Sequence, residues 1–202
     1  MQAALFAFLF TFVACALLVG GARFFRASLD HAGSGPQKVH ALSVPRVGGV
    51  PVLAGIVLGA LWLGPVSRAN WYFVLVLAAA PAFCGGLYED LTRRFPPSAR
   101  LVTAFCAAAV GFFLLDARVT NLDLWGTDWL LGVGAISFAF TVFAVGGFAN
   151  ALNIVDGFNG LAAITALTML AALTVVATAV SDTVVAQMCL VIGAVILGFL
   201  LW

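Results

Sequence analysis

The chain has 202 residues, 64% of them hydrophobic and 8% charged, with a formal net charge of +1. That is too little polar surface to cover a water-soluble globule of this size, so the composition specifies an integral membrane protein. The near-neutral balance, with no basic stripe interleaved with aromatics, gives no nucleic-acid-binding surface.

In chain order, apolar spans are expected at about residues 3–22, 47–66, 69–88, 99–115, 129–149, 161–180 and 183–202. Each is near the roughly 20 residues that a helix needs to cross the hydrocarbon. The fourth is the shortest. Alternation with period two is absent, which favours an all-α, polytopic transmembrane helix bundle of about seven spans over a barrel. The first span lacks a basic leader and runs directly into Arg23, so it reads as a retained helix and not a cleaved signal. Cys15, Cys84, Cys106 and Cys189 all fall inside apolar spans without CxxC spacing, and are read as small buried hydrophobes. No linker or internal repeat divides the sequence, so residues 1–202 read as a single transmembrane domain.

Lys and Arg gather in cytoplasmic loops, and this fixes the expected orientation. The connections after the first and third spans hold Arg23, Arg26, Lys38, Arg46, Arg93, Arg94 and Arg100, whereas those after the second and fourth hold only Arg68 and Arg118. The amino terminus is therefore expected outside. Segments 30–49, 88–100 and 150–160 then share the cytoplasmic face. On the opposite side, residues 116–128 carry Asp116, Asp123 and Asp128 beside Trp125 and Trp129, aromatics that fit an interfacial belt and imply no chemistry.

Asn150 to Ala162, NALNIVDGFNGLA, is the most informative segment. Wound as a helix, it would put Asn150, Asn153, Asp156, Gly157, Asn159 and Gly160 on one half of its circumference and Ala151, Ile154, Val155 and Phe158 on the other. Polar groups near a bilayer are costly unless they are paired or line a wet cavity, which points to a functional site; a packing seam of small residues and amides is the alternative. In GGLYEDLTRRFPP, Glu89 and Asp90 are oxygen donors suited to a hard cation such as Mg²⁺, which is commonly held by one or two carboxylates plus substrate phosphates. They could equally be a solvated helix end paired with Arg93 and Arg94. Gly85 and Gly86 just upstream permit close backbone approach or a kink, and Pro96-Pro97 enforces a turn. In the first loop, Lys38, His40 and Arg46 offer a point charge, a proton carrier and a planar fork for phosphate oxygens, or else only a positive-inside anchor. Gly55 and Gly59 read as a small-xxx-small packing pair. Together these residue types supply what phosphoryl transfer requires, namely positioning and charge neutralisation.

At KVHALSVPRVGG, GLYEDLTRR and NALNIVDGFNGLA the sequence resembles the polyprenyl-phosphate N-acetylhexosamine-1-phosphate transferases, glycosyltransferase family 4. KxH followed by PRxGG is closer to the O-antigen-initiating type than to the muramoyl-pentapeptide branch. The resemblance implies a Mg²⁺-dependent transfer of a sugar 1-phosphate from a UDP-N-acetyl sugar to undecaprenyl phosphate, releasing UMP, in lipid-linked cell-envelope polysaccharide synthesis. It implies a multi-pass protein of the bacterial inner membrane with a cytoplasmic active site; a homodimer is compatible with it. By motif position, Glu89, Asp90 and Asp156 would be the catalytic carboxylates, Asp90 and Asp156 the metal ligands, and Lys38, His40, Arg46, Asn150, Asn153 and Asn159 the substrate contacts. The sequence departs from the family in having Glu-Asp where Asp-Asp is usual, and Asn159 where many relatives carry a second aspartate. Relatives continue beyond a point equivalent to Trp202 into a GDxG-type loop bearing another aspartate, so residues 1–202 alone are expected to have little activity. The competing readings are a transporter or channel for an anionic or lipid-linked solute, with Asp156 as its coupling site, and an inactive portion that assembles with partner helices.

Overall fold

The computed structural model describes residues 1–21, 29–30, 44–45, 47–63, 69–92, 96–155 and 160–202. In chain order these form α1 (Gln2–Gly20), β1 (Leu29–Asp30), β2 (Val44–Pro45), α2 (Gly49–Trp62), α3 (Ala69–Thr92), α4 (Pro97–Leu114), α5 (Thr127–Leu131), α6 (Gly134–Val155), α7 (Leu161–Ala179) and α8 (Thr183–Leu200). Apart from the short antiparallel pairing of β1 with β2, the regular elements among the described residues are all helices. This is the economical solution in lipid, where a helix satisfies every backbone donor and acceptor within its own segment.

Among the described residues, six helices are long and apolar enough to cross a membrane, with the shorter apolar α2 beside them, in keeping with about seven spans. Only 6% to 28% of each membrane-length stretch is buried by protein, so most of the apolar surface faces outward, as lipid contact requires. Several boundaries differ from expectation. The shortest span is the second, with 14 residues, whereas the fourth has 18. Gly64-Pro65 follows α2 in the sequence, a pair unfavourable to helix continuation, whereas Pro97 sits at the first position of α4, where its missing N–H costs nothing. The expected fifth span splits into α5 and α6, and α6 runs on through Asn150 and Asn153 to Val155. Cys84 and Cys106 are exposed on their helices, and only Cys15 and Cys189 are buried; lying within an apolar span does not distinguish a lipid-facing position from a core one.

The chain divides into two compact units, Met1–Phe73 with Val155–Trp202, and Val74–Ile154. In the first, α1, α2 and α8 meet around Ala3, Ala7, Val191 and Val195, with Val52 and Ile56 against them. Gly55 and Gly59 make this close approach possible. A methyl group on Gly59 would lie 2.6 Å from Val191 Cγ1 and 3.1 Å from Ala7 Cβ, and one on Gly55 would overlap Thr11 Oγ1. Between membrane helices, association depends on such van der Waals fit, because the lipid is as apolar as the interface. The α7–α8 turn is closed by Asp182, whose Oδ1 accepts from the backbone N–H groups of Val184 (3.2 Å) and Val185 (3.1 Å), a helix N-cap.

In the second unit α4 lies against both α3 and α6. A methyl on Gly85 would be 2.7 Å from Thr103 Oγ1, and one on Gly146 would overlap the Phe105 ring. The segment after α4 is strapped to α6 by Ser137 and Thr141, one turn apart on the same face. Ser137 Oγ donates to Val119 O (2.8 Å), and Val119 N–H donates to Thr141 Oγ1 (3.0 Å). Asp128 Oδ1 accepts from Leu122 N–H at 2.7 Å. Trp125 and Trp129 stay exposed beside this strap, as an interfacial belt requires.

Candidate functional site

Three helix ends of the second unit enclose a cavity of about 360 Å³, within the usual range of roughly 300–1,000 Å³ for small-molecule sites. From the last turns of α3 come Ala82, Gly86, Glu89 and Asp90, spaced so that they share one helix face. From the first turns of α4 come Arg100, Thr103 and Ala104, and from the last turns of α6 come Ala149, Asn150 and Asn153. Its lining combines small residues with polar and charged ones. At Gly86 an added Cβ would meet nothing within 4 Å, so the missing side chain leaves open space in the cavity.

Glu89 is held by Arg100. The Arg100 Nε–H donates to Glu89 Oε2 at 2.8 Å, and Nη2–H donates to Oε1, a two-pronged ion pair across the α3–α4 junction. Both side chains are half-buried, at 35% and 26% exposure for Arg100 and Glu89, so the pair is partly shielded from water. An arginine in the first turns of a helix meets the positive end of the helix dipole, and the Glu89 carboxylate offsets that cost. Thr103 donates to Arg100 O at 2.8 Å and turns against Gly85, fixing the spacing of the two helices at the cavity wall.

The structure thus brings together four residues singled out by the sequence, Glu89, Asp90, Asn150 and Asn153. Lys38, His40, Arg46, Asp156 and Asn159 lie outside the described residues. The segment from Asn150 onward does not run as one described helix through Ala162: α6 ends at Val155, and Gly160 takes a left-handed conformation with φ +78° as the N-cap of α7. That conformation suits glycine and interrupts a right-handed helix. Arg93 and Arg94, the alternative partners of the acidic pair, lie outside the described residues; among those described, Glu89 pairs with Arg100. Sequence reading had counted Arg100 only as one more cytoplasmic charge. The clue to its place was the brief 93–96 connection, which forces the first turn of α4 to stand beside the last turn of α3.

The donor set suits a hard cation. Asp90 supplies a carboxylate, and Asn150 and Asn153 supply amide oxygens. Among the described residues no three or more His, Cys, Asp or Glu side chains gather as a ready-made metal cage. A magnesium ion commonly keeps waters and binds through one or two carboxylates plus substrate phosphates, so this sparse oxygen set fits it, whereas the closed nitrogen and sulfur set of structural zinc finds no counterpart among the described residues. Among the described residues, two carboxylates and one guanidinium formally leave a single negative charge at the cavity, which a divalent ion would turn positive and receptive to a diphosphate.

Comparison with known proteins gives the same direction. The profile of glycosyl transferase family 4 matches residues 72–202. The chain is 26% identical over 139 residues to a phospho-N-acetylmuramoyl-pentapeptide-transferase of Pelagibacter ubique, covering 62% of this chain and 38% of that protein. It is 27% identical over 169 residues to a probable undecaprenyl-phosphate N-acetylglucosaminyl 1-phosphate transferase of Bacillus subtilis, covering 82% and 46%. To a phospho-N-acetylmuramoyl-pentapeptide-transferase of Geobacillus kaustophilus it is 26% identical over 207 residues, covering 96% and 64%. The chain therefore spans between 38% and 64% of the length of these curated relatives. No solved structure gives a significant match.

Proposed function

The chain belongs to glycosyl transferase family 4, and from that membership we propose that the protein transfers an N-acetylhexosamine 1-phosphate from a UDP-sugar to undecaprenyl phosphate. An oxygen of the lipid phosphate attacks the sugar-bearing phosphorus. The bond from that phosphorus to the bridging oxygen breaks, and UMP leaves with the electron pair. The observation that carries this reading is the cavity into which α3, α4 and α6 bring an acidic pair, a guanidinium and two asparagines. A reaction with this little covalent chemistry for the protein to do depends on holding two anions together and neutralising them.

In this proposal Asp90 and Asp156 hold Mg²⁺, which supplies charge neutralisation of the diphosphate. Glu89 completes the acidic motif. Lys38, His40 and Arg46 contact phosphate or sugar, and Asn150, Asn153 and Asn159 hydrogen-bond the acetamido group or the nucleobase. The acceptor and the transferred group named for the Bacillus subtilis relative support the N-acetylhexosamine and undecaprenyl assignments. The sequence motif KxH…PRxGG favours an O-antigen-type pathway at the cytoplasmic face of the bacterial inner membrane.

The test uses the full-length protein in detergent with undecaprenyl phosphate and a panel of labelled UDP-N-acetyl sugars. UMP release that requires Mg²⁺ and falls by at least ~100-fold in Asp90→Asn and Asp156→Asn is the expected result, the scale seen when a group acting in the transition state is lost. Solute flux in reconstituted vesicles without UMP release would establish a transporter instead.

A further inference from the structure

The geometry points to a division of labour within the acidic pair: Glu89 is a positioning residue that holds the Arg100 guanidinium as a preset arm for a phosphate anion in the cavity. This rests on the transferase reading for its natural ligand, but its physical basis is local. A guanidinium carries five N–H donors in a planar fork. Glu89 takes one from Nε and one from Nη2, leaving three that can meet phosphate oxygens without breaking the ion pair. Both residues line the cavity beside Asp90 and Asn150.

Three features favour this role over direct metal ligation by Glu89. Each carboxylate oxygen of Glu89 already accepts a charge-assisted bond, which makes it a poorer donor to a cation that demands near-ideal octahedral geometry. An unheld arginine would lose much of its rotamer freedom on gripping an anion, whereas one fixed by a two-pronged partner has lost it beforehand. Finally, the longer reach of Glu compared with Asp serves a contact that crosses from α3 to α4.

The experiment uses the full-length protein in detergent and two probes, UDP-N-acetylglucosamine turnover and calorimetric binding of inorganic pyrophosphate. Arg100→Lys keeps the charge but loses the fork, and should raise KM for the UDP-sugar and the pyrophosphate Kd by about tenfold, with kcat within about threefold. Glu89→Asp, shortened by one methylene, should shift both in the same direction. The double variant should be little worse than the more affected single variant, because both remove one coupled unit. Asp90→Asn should instead lower kcat. The inference is overturned if Arg100→Lys leaves both KM and pyrophosphate affinity unchanged, if the wild type does not bind pyrophosphate, or if Glu89→Asp lowers kcat by ~100-fold at constant KM. Binding needs no turnover, so the two readings fail separately. A wild type that releases no UMP, but binds pyrophosphate more tightly than Arg100→Lys, sinks the transferase reading and keeps the arm.

Discussion

Neighbouring glycines on α3 should respond to substitution in opposite ways. A methyl group at Gly85 would stand 2.7, 2.9 and 3.0 Å from the Oγ1, Cγ2 and Cβ of Thr103, several tenths of an ångström inside ordinary contact. Thr103 is held by its bond to Arg100 O and cannot turn away freely, so α3 and α4 must separate. Overpacking of this kind costs about 1–3 kcal/mol, and replacing glycine in a helix returns up to about 1 kcal/mol. Gly85→Ala should therefore lose up to about 2 kcal/mol net, at most a few degrees in Tm for a chain of this length. At Gly86 the same reasoning reverses. Nothing lies within 4 Å of an added Cβ, so Gly86→Leu should keep or slightly raise Tm. The leucine side chain would, however, enter the 360 Å³ cavity and displace the equivalent of about three waters of ~30 Å³ each. A displacement of reacting groups by about 1 Å can cost ~100-fold in rate, so UMP release should fall at least that far. Thermal unfolding in detergent and UMP release, measured on both variants, test this. An active Gly86→Leu protein, or a Gly85→Ala protein more stable than wild type, would refute the packing and cavity assignments.

Other contacts give sharper local tests. Ser137→Ala and Thr141→Val should each loosen the segment around Val119, at about 0.6 kcal/mol per hydrogen bond and at most about 1.7, read as faster hydrogen exchange at residues 116–124 with the helices unaffected. Asp182→Ala removes the cap of α8 and should cost about 1 kcal/mol, visible as faster exchange at Val184 and Val185. Gly59→Val drives a branched side chain into Val191 and Ala7, and should lower Tm by more than Gly85→Ala does, since the added bulk is greater.

Much of the architecture was legible because membrane helices advertise themselves by length and apolarity. The Gly55/Gly59 seam followed from spacing alone, and the structure places both against neighbouring helices. Glu89, Asp90, Asn150 and Asn153 were legible as chemistry because polar residues flanking apolar spans need a reason. That Glu89 and Asp90 share a cavity with the two asparagines also required only that α3 and α6 end on the same side. Arg100 was missed because its role depends on a tertiary pairing across the α3–α4 connection, which a count of loop charges does not resolve. The early stop of α2 and the break between α5 and α6 were missed for a related reason: hydropathy averaged over a span passes over single residues such as Gly132, the C-cap of α5. Burial of Cys84 and Cys106 failed likewise, since lipid and protein core select the same apolar residues.

The most direct test replaces the magnesium ion with iron(II) and uses ascorbate and peroxide to cut the backbone wherever the ion sits. If the cavity at the ends of α3, α4 and α6 binds the divalent metal, cleavage should cluster near residue 90 and across residues 150–156, disappear with excess Mg²⁺, and weaken in Asp90→Asn. Cleavage confined to other segments, or an identical pattern in Asp90→Asn, would contradict that placement.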